Sequence, residues 1–215
     1  MRVSLSWLQE MVQISVSVEE LAEKLSMSGF EVEKIEDLSS LASGVVIGFV
    51  NHKRSHPNAD KLSVCEVDIG MNEPLQIVCG ASNVRSGIHV PVATVGTVIP
   101  SQNLTIRKSE LRGVSSEGMI CSKGELGLKD NENGICILED VFENIPPLGE
   151  SVSELFGLND KIIELAITAN RPDGMSLNGI AKEVAAITGS KILVPTHKSF
   201  IDSTSFLTTE FNCSS

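Results

Sequence analysis

The chain has no tyrosine, one tryptophan (Trp7) and only 4% aromatic residues. Its cores must be built from Val, Ile and Leu. A protein that grips single strands by stacking bases on aromatic platforms is not what this composition describes. The five cysteines (Cys65, Cys79, Cys121, Cys136, Cys213) include no CxxC pair, which argues against a disulfide framework and a zinc site. No apolar run approaches the ~20 residues of a membrane helix. Gln9 and Glu10 interrupt the stretch that a signal peptide would need. A soluble, cytoplasmic protein with no membrane association is expected. No glycine-rich string matches a phosphate-binding loop or a dinucleotide fingerprint. Gly113-Val-Ser-Ser-Glu-Gly118 has the wrong spacing for a nucleophile elbow. No catalytic site is expected within these residues.

Positive charge is also scarce. The net charge is −11, the wrong sign for holding nucleic acid by bulk attraction, and even residues 40–150 carry 9 basic against 13 acidic side chains. The balance reverses only locally, where Arg107, Lys108, Arg112, Lys123 and Lys129 outnumber Glu110, Glu117 and Glu125. Any nucleic-acid site must therefore be a patch on an acidic body.

What is present changes texture twice. The first 39 residues read as helical: Ser17-Val-Glu-Glu20 is a capping box, Leu21, Ala22 and Leu25 share a face, and Gly29 stops the helix. A shorter helix is expected from Ser6. From Gly44 onward, Val45–Val50, Leu62–Ile69, Leu75–Cys79, Val90–Val98 and Ile135–Leu138 read as strands between turn residues. In Leu62–Ile69 the alternation slips by one residue, which predicts a bulge in that strand. One short helical turn is expected near Gly124–Leu128. Five short strands fit a Greek-key barrel of the OB type, with a β-sandwich as the competing arrangement. After Pro146-Pro147 the pattern turns mixed: Ile162–Ile167 reads as a strand, Arg171-Pro-Asp-Gly174 as a turn, and Ser176 caps a helix that Gly189 ends.

The expected class is thus α+β, mainly β: a five-stranded barrel inserted into a small mixed helical domain. Residues 1–39 and 151–190 are each too small to bury a core alone, so they are expected to form one discontinuous scaffold domain around a barrel at 40–150. Residues 191–215 are read as a disordered tail or the cut start of a further domain.

His52 and His56 lie four apart, but metal binding would need a third ligand, and none is evident; a polar strand end before Pro57 is the plainer reading. RNA binding needs cations for phosphate and hydroxyl or amide groups for ribose and base edges. Asn83 and Arg85 after Cys79-Gly-Ala-Ser, and Ser115, Ser116, Ser122 and Lys123 later, offer that chemistry. With only Phe49 and Phe142 in residues 40–150, both expected in the core, the barrel would read shape and backbone. On residue chemistry alone, RNA binding and a generic interaction module both stay open.

Three ordered strings bear on the choice: His56-Pro-Asn-Ala-Asp-Lys-Leu62, Gln76-Ile-Val-Cys-Gly-Ala-Ser-Asn83 and Leu111-Arg-Gly-Val-Ser-Ser-Glu-Gly-Met119. With Cys121-Ser122 and Glu125-Leu-Gly127, they resemble the tRNA-binding OB module of several aminoacyl-tRNA synthetases and of free-standing tRNA-binding proteins. The flanks Val3-Ser-Leu-Ser-Trp-Leu8, Glu19–Leu25, Gly29-Phe-Glu-Val32, Asn170-Arg-Pro-Asp173 and Gly179–Ala185 resemble the N-terminal part of the bacterial phenylalanyl-tRNA synthetase β subunit. Asp173-Gly174-Met175 departs from the more usual Asp-Cys-Leu. The resemblance implies a class II enzyme, an α2β2 tetramer that joins phenylalanine to tRNAPhe with ATP and Mg²⁺, its aminoacylation site in the α subunit and its editing pocket further along β. It implies no cofactor for this chain itself. Asn83, Arg85, Arg112, Ser116 and Lys123 are the expected tRNA contacts. A stand-alone dimeric tRNA-binding or chaperone-like protein, or a non-functional truncated remnant, are the rival expectations.

Overall fold

In the computed structural model, residues 1–128 and 134–193 are described. They begin with β1 (Arg2–Ser4), α1 (Leu5–Met11), α2 (Val18–Met27) and β2 (Glu31–Asp37). The middle supplies β3 (Val45–His56), β4 (Ala59–Asp68), β5 (Leu75–Cys79) and β6 (His89–Thr94). Five short strands follow: β7 (Val98–Ile99), β8 (Leu104–Thr105), β9 (Ser109–Leu111), β10 (Val114–Ser116) and β11 (Gly118–Ile120). Then come α3 (Val152–Leu155), β12 (Lys161–Ala166) and α4 (Leu177–Thr188). Among the described residues, Met1–Ser6 with Glu31–Ala166 forms one compact unit, and Trp7–Phe30 with residues 167–193 forms the other.

In the first unit a five-stranded antiparallel sheet has the order β11-β6-β3-β4-β5. It rolls up because its edges meet through Glu117, whose N–H donates to the Gln76 carbonyl at 2.9 Å. This is a nearly closed OB-type barrel, and the sandwich alternative falls. Branched aliphatics fill it in two clusters. One is built around Val50, Val67, Ile77 and Val90. The other is built around Ile47, Ile99, Leu126 and Leu138. The bend that closes such a sheet comes from an irregularity in β3, where Val50 faces Val67 but His52 faces Glu66, leaving Asn51 as the extra residue. The slipped alternation of Leu62–Ile69 is real in burial, with adjacent Val64 and Cys65 both inside, but the bulge sits on the partner strand.

The same unit holds a three-stranded sheet in the order β1-β12-β2, where the segments before and after the barrel pair with each other. Asp160 opens its central strand and accepts from the Ser4 hydroxyl at 2.5 Å and from the Ser6 N–H and hydroxyl, both at 3.0 Å. Phe142 meets Phe156 edge-on at 5.1 Å beside the second cluster. Phe49 is half-buried and rests against the His89 ring at 4.8 Å. Glu139 fastens β6 by accepting from the His89 backbone N–H at 2.8 Å, and its carboxylate lies 2.7 Å from His89 Nδ1.

In the second unit the caps fall where the sequence places them. Ser17 Oγ accepts from the Glu20 N–H at 3.2 Å, and Ser176 Oγ accepts from the Gly179 N–H at 3.0 Å. Leu8, Leu21, Leu25, Phe30, Ile180 and Val184 are fully buried. Arg171 ties its loop together: its guanidinium donates to the Ser28 carbonyl at 3.0 Å, to Asp173 and Glu183, and lies 4.1 Å over the Phe30 ring. A side chain at position 174 would collide with Phe30, so the Gly in Asp173-Gly174-Met175 matches a close approach.

Three expectations are corrected. The first 39 residues are not helical throughout, because Arg2–Ser4 and Glu31–Asp37 are strands. Glu31-Val-Glu-Lys-Ile-Glu-Asp37 is charged because it is a sheet edge with one half-buried face, a setting in which charge blunts further pairing. Ile135–Leu138 is not a strand: Ile135, Cys136 and Ile137 are buried in irregular chain that leads into a 3₁₀ turn at Leu138–Asp140. The fifth barrel strand is Gly118–Ile120, hidden in the sequence by its three-residue length. Val90–Val98 breaks at Thr94, where the chain turns through Val95 and Gly96. Residues 194–215, which hold most of the expected tail, lie outside the described residues.

Candidate nucleic-acid interface

Where the barrel closes, β5 is stitched to the end of β10. The Val78 N–H donates to Ser116 Oγ at 3.0 Å, the Gln76 amide donates to the Ser115 carbonyl at 2.8 Å, and the Ser116 hydroxyl donates to the Gly118 carbonyl at 3.1 Å. Beside this seam opens a groove of about 600 Å³. Its walls include the Gly80 backbone, the half-exposed side chains of Leu104 and Leu111, the cation Arg107, and the pair Ser122 and Glu125. Ser122 and Glu125 hold each other as a capping box does. The Glu125 carboxylate accepts from the Ser122 N–H at 2.6 Å and its hydroxyl at 2.9 Å, while Ser122 Oγ accepts from the Glu125 N–H at 3.2 Å. The turn at Lys123–Gly127 follows from this, close to the helical turn expected near Gly124–Leu128.

Hairpin geometry sets one rim. β9 and β10 join through Arg112-Gly113, with Leu111 facing Val114, and both turn residues have positive φ (49° and 88°). That is the backbone of a two-residue type I′ turn, which right-twisted strands favour. The hairpin is pinned to the β3–β4 hairpin by two groups. His56, only 5% exposed, places Nε2 3.0 Å from the Leu111 carbonyl and accepts the Asn58 N–H on Nδ1, also at 3.0 Å. The Asn58 amide donates to the Arg112 carbonyl at 2.9 Å. With Nδ1 accepting, Nε2 is the donor, and His56 works as a structural latch.

The five expected contact residues fall into two kinds. Ser116 is 2% exposed, and its hydroxyl is engaged at the seam. Asn83 is half-buried and grips Ile135, accepting its N–H at 3.0 Å and donating to its carbonyl at 2.9 Å. Arg85 and Arg112 are exposed, and Lys123 is half-buried on the turn that carries Ser122 and Glu125. Ser116 and Ile135 both line the groove, so the structural pair frames it. Sequence reasoning did not single out Arg107, Leu104, Leu111 or Glu125 as groove residues. Arg107 and Lys108 are adjacent cations, yet Lys108 is paired with Glu117 at 2.5 Å while Arg107 lines the groove, a distinction the sequence does not carry.

The four thiols among the described residues, Cys65, Cys79, Cys121 and Cys136, are buried. Burial pushes Cys65 up to about 11 and Cys121 up to about 12, and raises Cys79 as well. Among the described residues there is no group of three or more His, Cys, Asp or Glu side chains that could hold a metal ion, and no helix is long and apolar enough to cross a membrane.

A family model called "Putative tRNA binding domain" matches residues 45–144. A phenylalanine–tRNA ligase beta subunit of Prochlorococcus marinus (strain MIT 9313) is 62% identical over 212 residues, 95% of this chain and 26% of the relative. The corresponding subunit of Synechococcus sp. (strain CC9605) is 58% identical over 99% of this chain and 26% of its own length. That of Trichormus variabilis is 55% identical over 91% of this chain and 24% of its own length. The chain spans about a quarter of the length of these relatives.

Proposed function

Since this chain belongs with the N-terminal regions of phenylalanine–tRNA ligase beta subunits, tRNA-binding module included, we propose that its barrel holds tRNAPhe while the rest of the enzyme attaches phenylalanine. The observation that carries this reading is the coincidence of the family match at residues 45–144 with the groove at the barrel seam and its cation Arg107. Arg85, Arg112 and Lys123 join Arg107 as phosphate contacts. Asn83 and Ser116 act from behind, by holding the backbone that shapes the groove. ATP and Mg²⁺ serve the class II aminoacylation site outside this chain. The α subunit is the partner, in an α2β2 assembly in the cytoplasm.

The grip is an accessory one. A net charge of −11 opposes bulk attraction to RNA, so affinity must come from a few local contacts. Titrating the 215-residue chain into labelled tRNAPhe at low salt should show weak binding that falls as salt rises. Each phosphate contact contributes roughly 0.7 to 0.9 to the slope of log K against log salt. No binding at low salt, or binding indifferent to salt, would refute the reading. Incubated with ATP, phenylalanine and tRNAPhe, the chain alone should form no aminoacyl-tRNA, and measurable product would refute its non-catalytic role.

A further inference from the structure

We propose that the groove at the barrel seam takes one unpaired nucleotide, its base against Leu104 and Leu111, its phosphate on Arg107 and its amino-bearing edge toward Glu125; this rests on the tRNA-binding reading above. Size is the first argument. A concavity of about 600 Å³ is in the range of small-ligand sites and cannot admit a duplex, whereas a single extruded nucleotide fits with room for water.

The distribution of chemistry is the second. Leu104 and Leu111 are 40% and 41% exposed, and both face the groove, so they present an apolar wall that a base would cover. Among the described lining residues there is no aromatic ring on which a base could stack, so aliphatic contact replaces the usual platform. Charge then sets the direction of the ligand. Arg107 attracts phosphate and Glu125 repels it, so phosphate lies toward the arginine and the base edge toward the carboxylate. Ser122 fixes one carboxylate oxygen, Oε2, at 2.6 Å and 2.9 Å, while Oε1 has only a 3.5 Å contact with the Gln102 amide. Oε1 is therefore the oxygen left to accept from a base amine. Adenine, cytosine and guanine carry an exocyclic amine; uracil has none, and its one edge donor, N3–H, is flanked by two carbonyls that a carboxylate repels. The groove should discriminate against uridine.

The test uses the 215-residue chain at low salt and follows anisotropy with four probes: tRNAPhe, a short single-stranded RNA of A, C and G, a U-only strand of equal length, and a blunt RNA duplex. The mixed strand should bind at least about tenfold more tightly than the duplex or the U-only strand, a difference of roughly 1.4 kcal/mol. Leu104→Asp should lower affinity for tRNAPhe and the mixed strand by about tenfold. Glu125→Gln should abolish the preference against uridine, and Arg107→Gln serves if Leu104→Asp fails to melt like the parent chain. If tRNAPhe binds but the mixed strand does no better than the duplex or the U-only strand, or the groove variants leave tRNA affinity unchanged, the nucleotide site is refuted and the tRNA-binding reading survives. If tRNAPhe does not bind at all, the tRNA-binding reading itself fails.

Discussion

Asn83 holds Ile135 by both of its backbone groups, with its side-chain oxygen 3.0 Å from the Ile135 nitrogen and its amide nitrogen 2.9 Å from the Ile135 carbonyl. The side chain stands in for a neighbouring strand across a gap of 52 residues. It satisfies the Ile135 backbone where no strand ladder does, while the next residue, Cys136, donates its N–H to the Cys121 carbonyl at 3.0 Å.

Asn83→Ala should therefore destabilise the barrel by about 1–3 kcal/mol, because two polar groups lose their partner. Urea unfolding of the two chains would measure it. A midpoint unchanged from the parent would show that Ile135 finds other partners.

Arg112 sits in the left-handed region (φ 49°) at the first central position of its turn, where Asn is a far better tenant. Arg112→Asn should keep or raise thermal stability, by up to about 1 kcal/mol, while weakening tRNA binding and lowering its salt slope by about 1. A variant that loses stability and keeps full affinity would contradict both halves.

Arg171 serves four groups at once: the Ser28 carbonyl, Asp173, Glu183 and the Phe30 ring. The hydrogen bonds it donates to Asp173 and Glu183 raise its pKa still further, and Arg171 in turn lowers that of Asp173. Lysine keeps the charge but not the planar fork, so Arg171→Lys should lower the midpoint of thermal unfolding. Equal melting of the two chains would mean that charge alone suffices.

Burial of Glu139 works against its ionised form, yet the bonds it accepts from the His89 ring and backbone outweigh that and hold its pKa below the ordinary 4.5. A carboxylate depressed on folding stabilises the fold above its unfolded pKa, and that contribution drains away as pH falls through the folded value. The stability gap between the parent chain and Glu139→Gln should be full at neutral pH and narrow progressively below pH 4.5. A gap independent of pH in acid titration would assign the effect to shape alone.

How much of this was legible in the sequence depends on how local the cause was. Ser17, Gly29, Ser176 and Gly189 act within a few residues of themselves, and the two longer helices begin and end on them. The runs Val45–Val50 and Leu75–Cys79 also read correctly, since branched aliphatic stretches have few other uses. Glu31–Asp37 was missed because its charge pattern answers to a partner strand at Lys161–Ala166, far along the chain. Gly118–Ile120 was missed because three residues carry no period. The groove was the least legible feature. Leu104 and Leu111 lie on separate short strands, Arg107 on the chain between them and Glu125 on a turn, so no single periodicity marks the residues that surround one space.

The sheet β1-β12-β2 also imposes a schedule. Arg2–Ser4 is made long before its partner Ile162–Glu164, and the Met1 carbonyl accepts from the Leu165 N–H at 2.7 Å. At synthesis rates of roughly 5–20 residues per second, the first strand waits on the order of ten to thirty seconds for its mate to be translated. Every strand of the barrel is made during that interval. The barrel is therefore free to form on the nascent chain first, and the ribosome itself sets the order in which this protein's long-range contacts can close.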